Sequence, residues 1–145
     1  MTVATPVYAP IWKRLMAALY DLLPLLALMF MTTAVLLPFT GGEAMPERGL
    51  GHIAYQLLLY GLGAAYYIVS WQRGGQTIGM RAWRLRVRTD SGEPLSFKSA
   101  ALRFLCSLIS IAVLGLGLLW GLFDARRRMW HDRWTRTQVI LIPKR

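Results

Sequence analysis

Residues 15–38 read LMAALYDLLPLLALMFMTTAVLLP, and Asp21 is the only charge in the run. A helix needs about 20 apolar residues to cross the ~30 Å hydrocarbon core of a bilayer, and this stretch has that length. It exceeds the roughly 7–15 apolar residues of a signal-peptide core, and no small-residue cleavage pattern closes it, so it reads as a membrane helix. Trp12, Lys13 and Arg14 precede it as an interfacial anchor, and Pro38 marks its end.

Working outward, Gly49–Gln72 carries no charge, and neither does Phe104–Phe123. Hydrophobic residues make up 55% of the 145 residues and charged ones 17%, against about 25% charged in soluble domains. A soluble core would ask for amphipathic helices rather than three uniformly apolar ones. The apolar content excludes a disordered chain, and a single cysteine, Cys106, excludes a disulfide scaffold. The expected fold is an all-α membrane protein, one domain over residues 1–145 with apolar segments 15–38, 51–72 and 97–124. Two of these are transmembrane helices; the third is re-entrant or membrane-spanning.

Charge decides the topology. Of 17 basic residues, seven lie in 73–103 and seven in 124–145, while the loop 38–52 holds Arg48 beside Glu43 and Glu47. The positive-inside rule then puts the amino terminus, 73–103 and the tail in the cytoplasm. Three full crossings would place the tail outside. A third segment that enters and returns removes the conflict, with helical halves near 97–114 and 117–124 and a turn at Gly115-Leu116-Gly117. The stretch 83–89, WRLRVRT, alternates apolar and basic residues as a half-buried strand does, and 137–142, TQVILI, is the other β-rich run. Strands need partners, so these two are expected to pair as a short cytoplasmic β element, which also requires an even number of crossings between them. The small-residue pairs Gly117/Gly121 and Gly61/Ala65 permit close helix contact, and a poorly shielded re-entrant turn suggests a homo-oligomer or a larger membrane partner.

Several motifs in order resemble the RDD family of bacterial membrane proteins. They are Arg14-x-x-Ala17-x-x-x-Asp21, Gly75-Gln76-Thr77-Ile78-Gly79-Met80-Arg81, Leu85-Arg86-Val87 with Asp90-x-Gly92-x-Pro94, Ala101-Leu102-Arg103, Leu122-Phe123-Asp124, and His131-Asp132-x-x-Thr135-x-Thr137. Met80 stands where the family often has Lys, and Arg136 where it often has Gly. The family is named for one Arg and two Asp. Arg14 and Asp21 match two of these; Asp132 is favoured for the third, with Asp124 as the rival. The resemblance implies a bacterial inner-membrane protein, related to transport and for some members to cation/proton exchange.

Asp21 is the most informative residue read on its own. It lies about 10 Å along the helix from Arg14, at 1.5 Å per residue, and a charge at mid-bilayer costs roughly 2.5–3.5 kcal/mol. Such residues mark ion or substrate routes or structural pairs. Arg14 shares its face but leans away toward the amino terminus. Arg103 is the preferred partner, giving a structural ion pair; the other reading is a proton or cation site beside the kink at Pro24. Arg14, Asp21, Arg103, Asp124 and Asp132 are thus the candidate route or buried charge network. Gln76, Thr77, Gly79 and Arg81 are candidate loop or headgroup contacts, without the Gly-Lys-Ser/Thr ending of a phosphate loop. Gln76 and Thr77 are also candidates to satisfy carbonyls freed by the re-entrant turn.

Arg84, Arg86, Arg88 and Arg126–Arg128 form a basic collar suited to anionic lipid headgroups. Trp83, Trp130 and Trp134 suit an interface belt, and no nucleic-acid motif accompanies them. His52 and His131 are placed on opposite sides, so no metal cluster is expected, nor any cofactor. No nucleophile motif supports hydrolysis, and no enzyme is expected. The functional expectation is a transport-related protein with an Asp/Arg route. The alternative is a non-catalytic membrane module that docks a partner protein or anionic lipid.

Overall fold

The computed structural model describes residues 7–42, 48–113 and 115–143. Glu43, Glu47, Leu114 and the last two residues, which enter the expectations for the loop, the bend and the tail, lie outside the described residues.

Helix α1 spans Ile11–Leu36, with Pro24 inside it, and runs into a 3-10 turn at Leu37–Thr40. Pro38 falls in the first turn of that 3-10 segment, and Gly41 ends it at φ 70°, donating its N–H back to Pro38. Helix α2 spans Leu50–Gly74. It closes on Gly75 at φ 67°, whose N–H donates to Trp71 while Gln76 N–H donates to Ser70, the pairing a left-handed residue makes possible. At 1.5 Å per residue both helices exceed the ~30 Å bilayer core, and by length and composition both are able to cross a membrane. Many of their apolar residues are exposed, among them Leu23, Leu26, Phe30, Met31 and Val35 on α1 and Leu50, Ile53, Leu57 and Tyr60 on α2. That is the pattern of helices solvated by lipid.

After α2 comes a short helix α3, Ile78–Ala82, then strand β1, Leu85–Thr89. Helix α4, Phe97–Ala112, opens on Ser96, whose hydroxyl accepts Ser99 N–H. Helix α5, Leu116–Leu119, continues as a 3-10 turn at Trp120–Leu122 and meets α4 at an angle of 107°. Gly115, at φ 72°, sits in the bend. Gly117 presses on α4 so closely that a Cβ there would lie 2.7 Å from the Ser110 Cβ. The chain ends with helix α6, Trp130–Trp134, and strand β2, Thr137–Leu141.

β1 and β2 pair antiparallel, with Val87 opposite Val139 and Leu85 opposite Leu141. Val7–Ala9 adds a third edge: Leu141 N–H donates to Val7, and Ala9 N–H to Val139. The first strand is shorter than expected, because Trp83 and Arg84 belong to the turn leaving α3, where Arg84 takes φ 55°. Leu85, Val87 and Val139 face inward with Ala17, Trp71, Met80, Leu95 and Ala100, forming a small core at one end of the helices. The bent pair begins and ends at this sheet end: Arg103 bonds Thr137, the first residue of β2, and Gly121 packs against Ile11 and the Arg127 carbonyl. Gly117 and Gly121 are therefore filled by the chain's own Ser110, Ile11 and Arg127, while Gly61 has open space around it.

Candidate functional site

Two carboxylates are buried at the sheet end, and they are satisfied in opposite ways. Asp132, on α6, has no exposed surface. Arg14 Nη2, from the first turns of α1, lies 2.6 Å from its Oδ2, and Arg103 Nη1, from α4, lies 2.6 Å from its Oδ1. Met129 N–H also donates to Oδ2 at 2.9 Å, so Asp132 starts its own helix as well. Arg14 Nη1 donates to the Arg127 carbonyl at 2.9 Å. Arg103 donates to the Thr137 hydroxyl, which is linked to Thr135 and through it to the His131 carbonyl, and its guanidinium lies 5.2 Å from the centre of the Trp71 ring. One carboxylate thus binds α1, α4 and α6 together.

Burial works against the Asp132 charge, but the two guanidinium groups outweigh it and hold the carboxyl well below its usual range. His131 is pushed down from 6.5 to about 3, because burial disfavours its charged form and the nearby arginines add to that, against the pull of Asp132. It is neutral at ordinary pH.

Asp21 is 2% exposed and has no cation within ion-pair distance among the described residues. Three neutral donors hold it: Tyr66 Oη at 2.6 Å and Gly79 N at 2.8 Å on Oδ1, and Thr77 Oγ1 at 2.6 Å on Oδ2. The local sequence explains the arrangement. Thr77 caps α3, its hydroxyl accepting Met80 N–H. Gly79 lets α3 lie flat on α1, since a Cβ there would be 2.0 Å from the Ala17 carbonyl oxygen. Tyr66 Oη accepts Ile78 N–H, so its hydroxyl proton is free for Asp21.

The expected Asp21–Arg103 pair does not form. Arg103 turns to Asp132, which α6 carries against α4, and the α3 turn occupies Asp21 first. The expectation that Gln76 and Thr77 satisfy carbonyls of the bend also fails: Gln76 Nε2 donates to Leu85 O at 2.6 Å, and Thr77 is buried against Asp21. Of the four candidate headgroup contacts, Thr77 and Gly79 point inward, Gln76 is half-buried and Arg81 is exposed. Asp124 stays outside both clusters and closes the 124–128 turn by accepting the N–H groups of Arg126 and Arg128. Burial opposes its charge slightly, and those donors with the Arg128 guanidinium hold its carboxyl below the ordinary value.

Arg14, Asp21, Thr77, Trp71 and Arg103 line one cavity of about 100 Å³ between the two clusters. Trp71 Nε1 and Arg103 Nε are buried without a partner among the described residues. At about 30 Å³ each, the space suits a few water molecules with polar groups to bind them. In sequence Tyr66 reads as one more belt aromatic beside Tyr67, and nothing there points to its bond with Asp21.

The family described as RDD family matches residues 8–136, most of the chain. No curated protein and no solved structure matches.

Proposed function

The chain belongs to the RDD family, and on that premise we propose that it is an integral protein of the bacterial inner membrane whose work is transport coupled to protonation of Asp21. The supporting observation is the asymmetry between the two carboxylates. Asp132 is neutralised by two arginines. Asp21 is also buried and, among the described residues, is held only by neutral donors, an expensive state for a group with no other task. Arg14 and Arg103 face the same small cavity and balance its charge at a distance.

Proton uptake gives this site two states. Ionised, Asp21 accepts three hydrogen bonds that clamp α2 and α3 onto α1. Protonated, one oxygen becomes a donor, so the hydroxyl facing it must turn and accept instead. Thr77 also accepts Met80 N–H and Tyr66 also accepts Ile78 N–H, so the turned hydroxyl keeps that bond on its second lone pair but must find a new acceptor for its own proton, and the contact that holds α3 weakens. In this reading α1 and α2 cross the membrane, the bent α4–α5 pair enters and returns, and both chain ends face the cytoplasm. Copies associate through the outer faces of α1 and α2 to enclose the route.

The test is purified protein in vesicles carrying an internal pH dye. A sodium or potassium gradient should drive proton flux with the native chain, and Asp21→Asn should abolish it while the protein still unfolds cooperatively. No flux from the native chain at any salt refutes the proposal.

A further inference from the structure

Away from the buried clusters, an open groove of about 570 Å³ runs between the start of α1 and the end of the sheet, lined by Trp12, Lys13, Trp83, Arg84, Leu141 and Ile142. Its walls are fixed. The Trp83 ring takes Trp12 edge-on at 5.5 Å and Tyr20 edge-on at 5.9 Å between centroids, and Arg84 O accepts Ile142 N–H at 2.8 Å. Arg84 holds φ 55°, a left-handed conformation in which a side chain is disfavoured and glycine is the usual occupant. The turn carries a cation there at that expense.

Two features of the groove call for a ligand. Among the described residues neither Lys13 nor Arg84 forms an ion pair; Lys13 Nζ rests 5.5 Å from the Trp12 ring centre. From the mouth of the groove an exposed apolar stripe runs down α1 through Trp12, Leu15, Leu19, Leu22 and Leu26, at the spacing of one helix face. Two cations without an ion pair among the described residues match a phosphodiester, and the stripe matches the chains attached to it.

We propose that this groove is a binding site for an anionic glycerophospholipid. Lys13 and Arg84 hold the phosphate, and the acyl chains follow the α1 stripe. The site is independent of Asp21 and stands or falls separately from the transport reading.

Native mass spectrometry of the protein released from lipid nanodiscs tests it. Phosphatidylglycerol should be retained and phosphatidylethanolamine lost. Lys13→Gln with Arg84→Gln should weaken phosphatidylglycerol retention roughly thirtyfold, as two headgroup cations are removed. Arg84→Gly, which suits the left-handed turn and so protects folding, should weaken it by roughly fivefold. Lys98→Gln, an exposed cation outside the groove, should change nothing, and inorganic phosphate should not displace the lipid. Equal retention of the two lipids, an equal loss with Lys98→Gln, full retention by Arg84→Gly, or displacement by phosphate would each overturn the site.

Discussion

At the scale of single residues, Asp132 and His131 make opposite demands on solvent. Asp132 is a buried ion whose removal strands two arginines. Breaking such a cluster from one side costs about 3–5 kcal/mol, because the partners stay buried and unpaired. Asp132→Asn should lower stability by that amount in reversible unfolding in detergent, while Asp124→Asn, in a partly exposed turn, should cost less than about 1 kcal/mol. His131 sets a pH dependence. Its folded pKa lies near 3, below the ordinary 6.5, so as pH falls the unfolded chain takes up a proton first. The contribution is whole above about 6.5 and is lost progressively toward 3. His131→Gln should flatten the stability profile between pH 6.5 and 4; an unchanged slope would show that His131 does not stay neutral when folded. These environments were only partly legible in sequence. The depth of Asp21 and the position of Arg14 follow from helix spacing. The partner of Arg103 does not, because spacing along α1 and α4 says nothing of which later turn arrives between them.

At the scale of elements, the contact of α3 with α1 is the closest fit in the site. Gly79→Ala would put a methyl 2.0 Å from the Ala17 carbonyl oxygen, so α3 must lift and give up the Gly79 N–H bond to Asp21. A loss of about 3 kcal/mol is expected. Gly74→Ala, at the end of α2 with nothing within 4 Å, should be neutral or raise stability by up to about 1 kcal/mol; thermal melts of the two variants side by side check the contrast. The strand pair was readable because alternation of apolar and basic residues is a local signal and its partner run was the only other β-rich stretch. The end of that strand was not, since the left-handed turn at Arg84 sits on a residue type that gives no warning. Arg136 is the companion case: it holds φ 50° where the resemblance implies a glycine, and the family pattern carried that signal where the residue itself did not.

At the scale of the whole molecule, the core lies at one end and the two long helices extend from it bare. Three parts of the chain meet there: the start of α1, the sheet, and both ends of the bent α4–α5 pair. Seven basic residues in 73–103 and seven in 124–145 are the reason the sequence predicts one membrane face for both stretches. Single cysteines at Ser91, Arg126 and Gly42, in a background lacking Cys106, test the arrangement. In intact cells an impermeant maleimide should label Gly42→Cys and spare the other two. Labelling of Arg126→Cys from outside would mean that the third segment crosses fully.

The transport reading rests on Asp21 changing protonation inside the folded protein. Difference infrared spectroscopy on the reconstituted protein reads this directly, through the carbonyl stretch of a protonated carboxyl group. As the pH is lowered through the range where proton flux changes, a band should appear in the native protein, persist in Asp124→Asn and vanish in Asp21→Asn. The same band surviving in Asp21→Asn, or no band across that range, would contradict the assignment of Asp21 as the proton-carrying group.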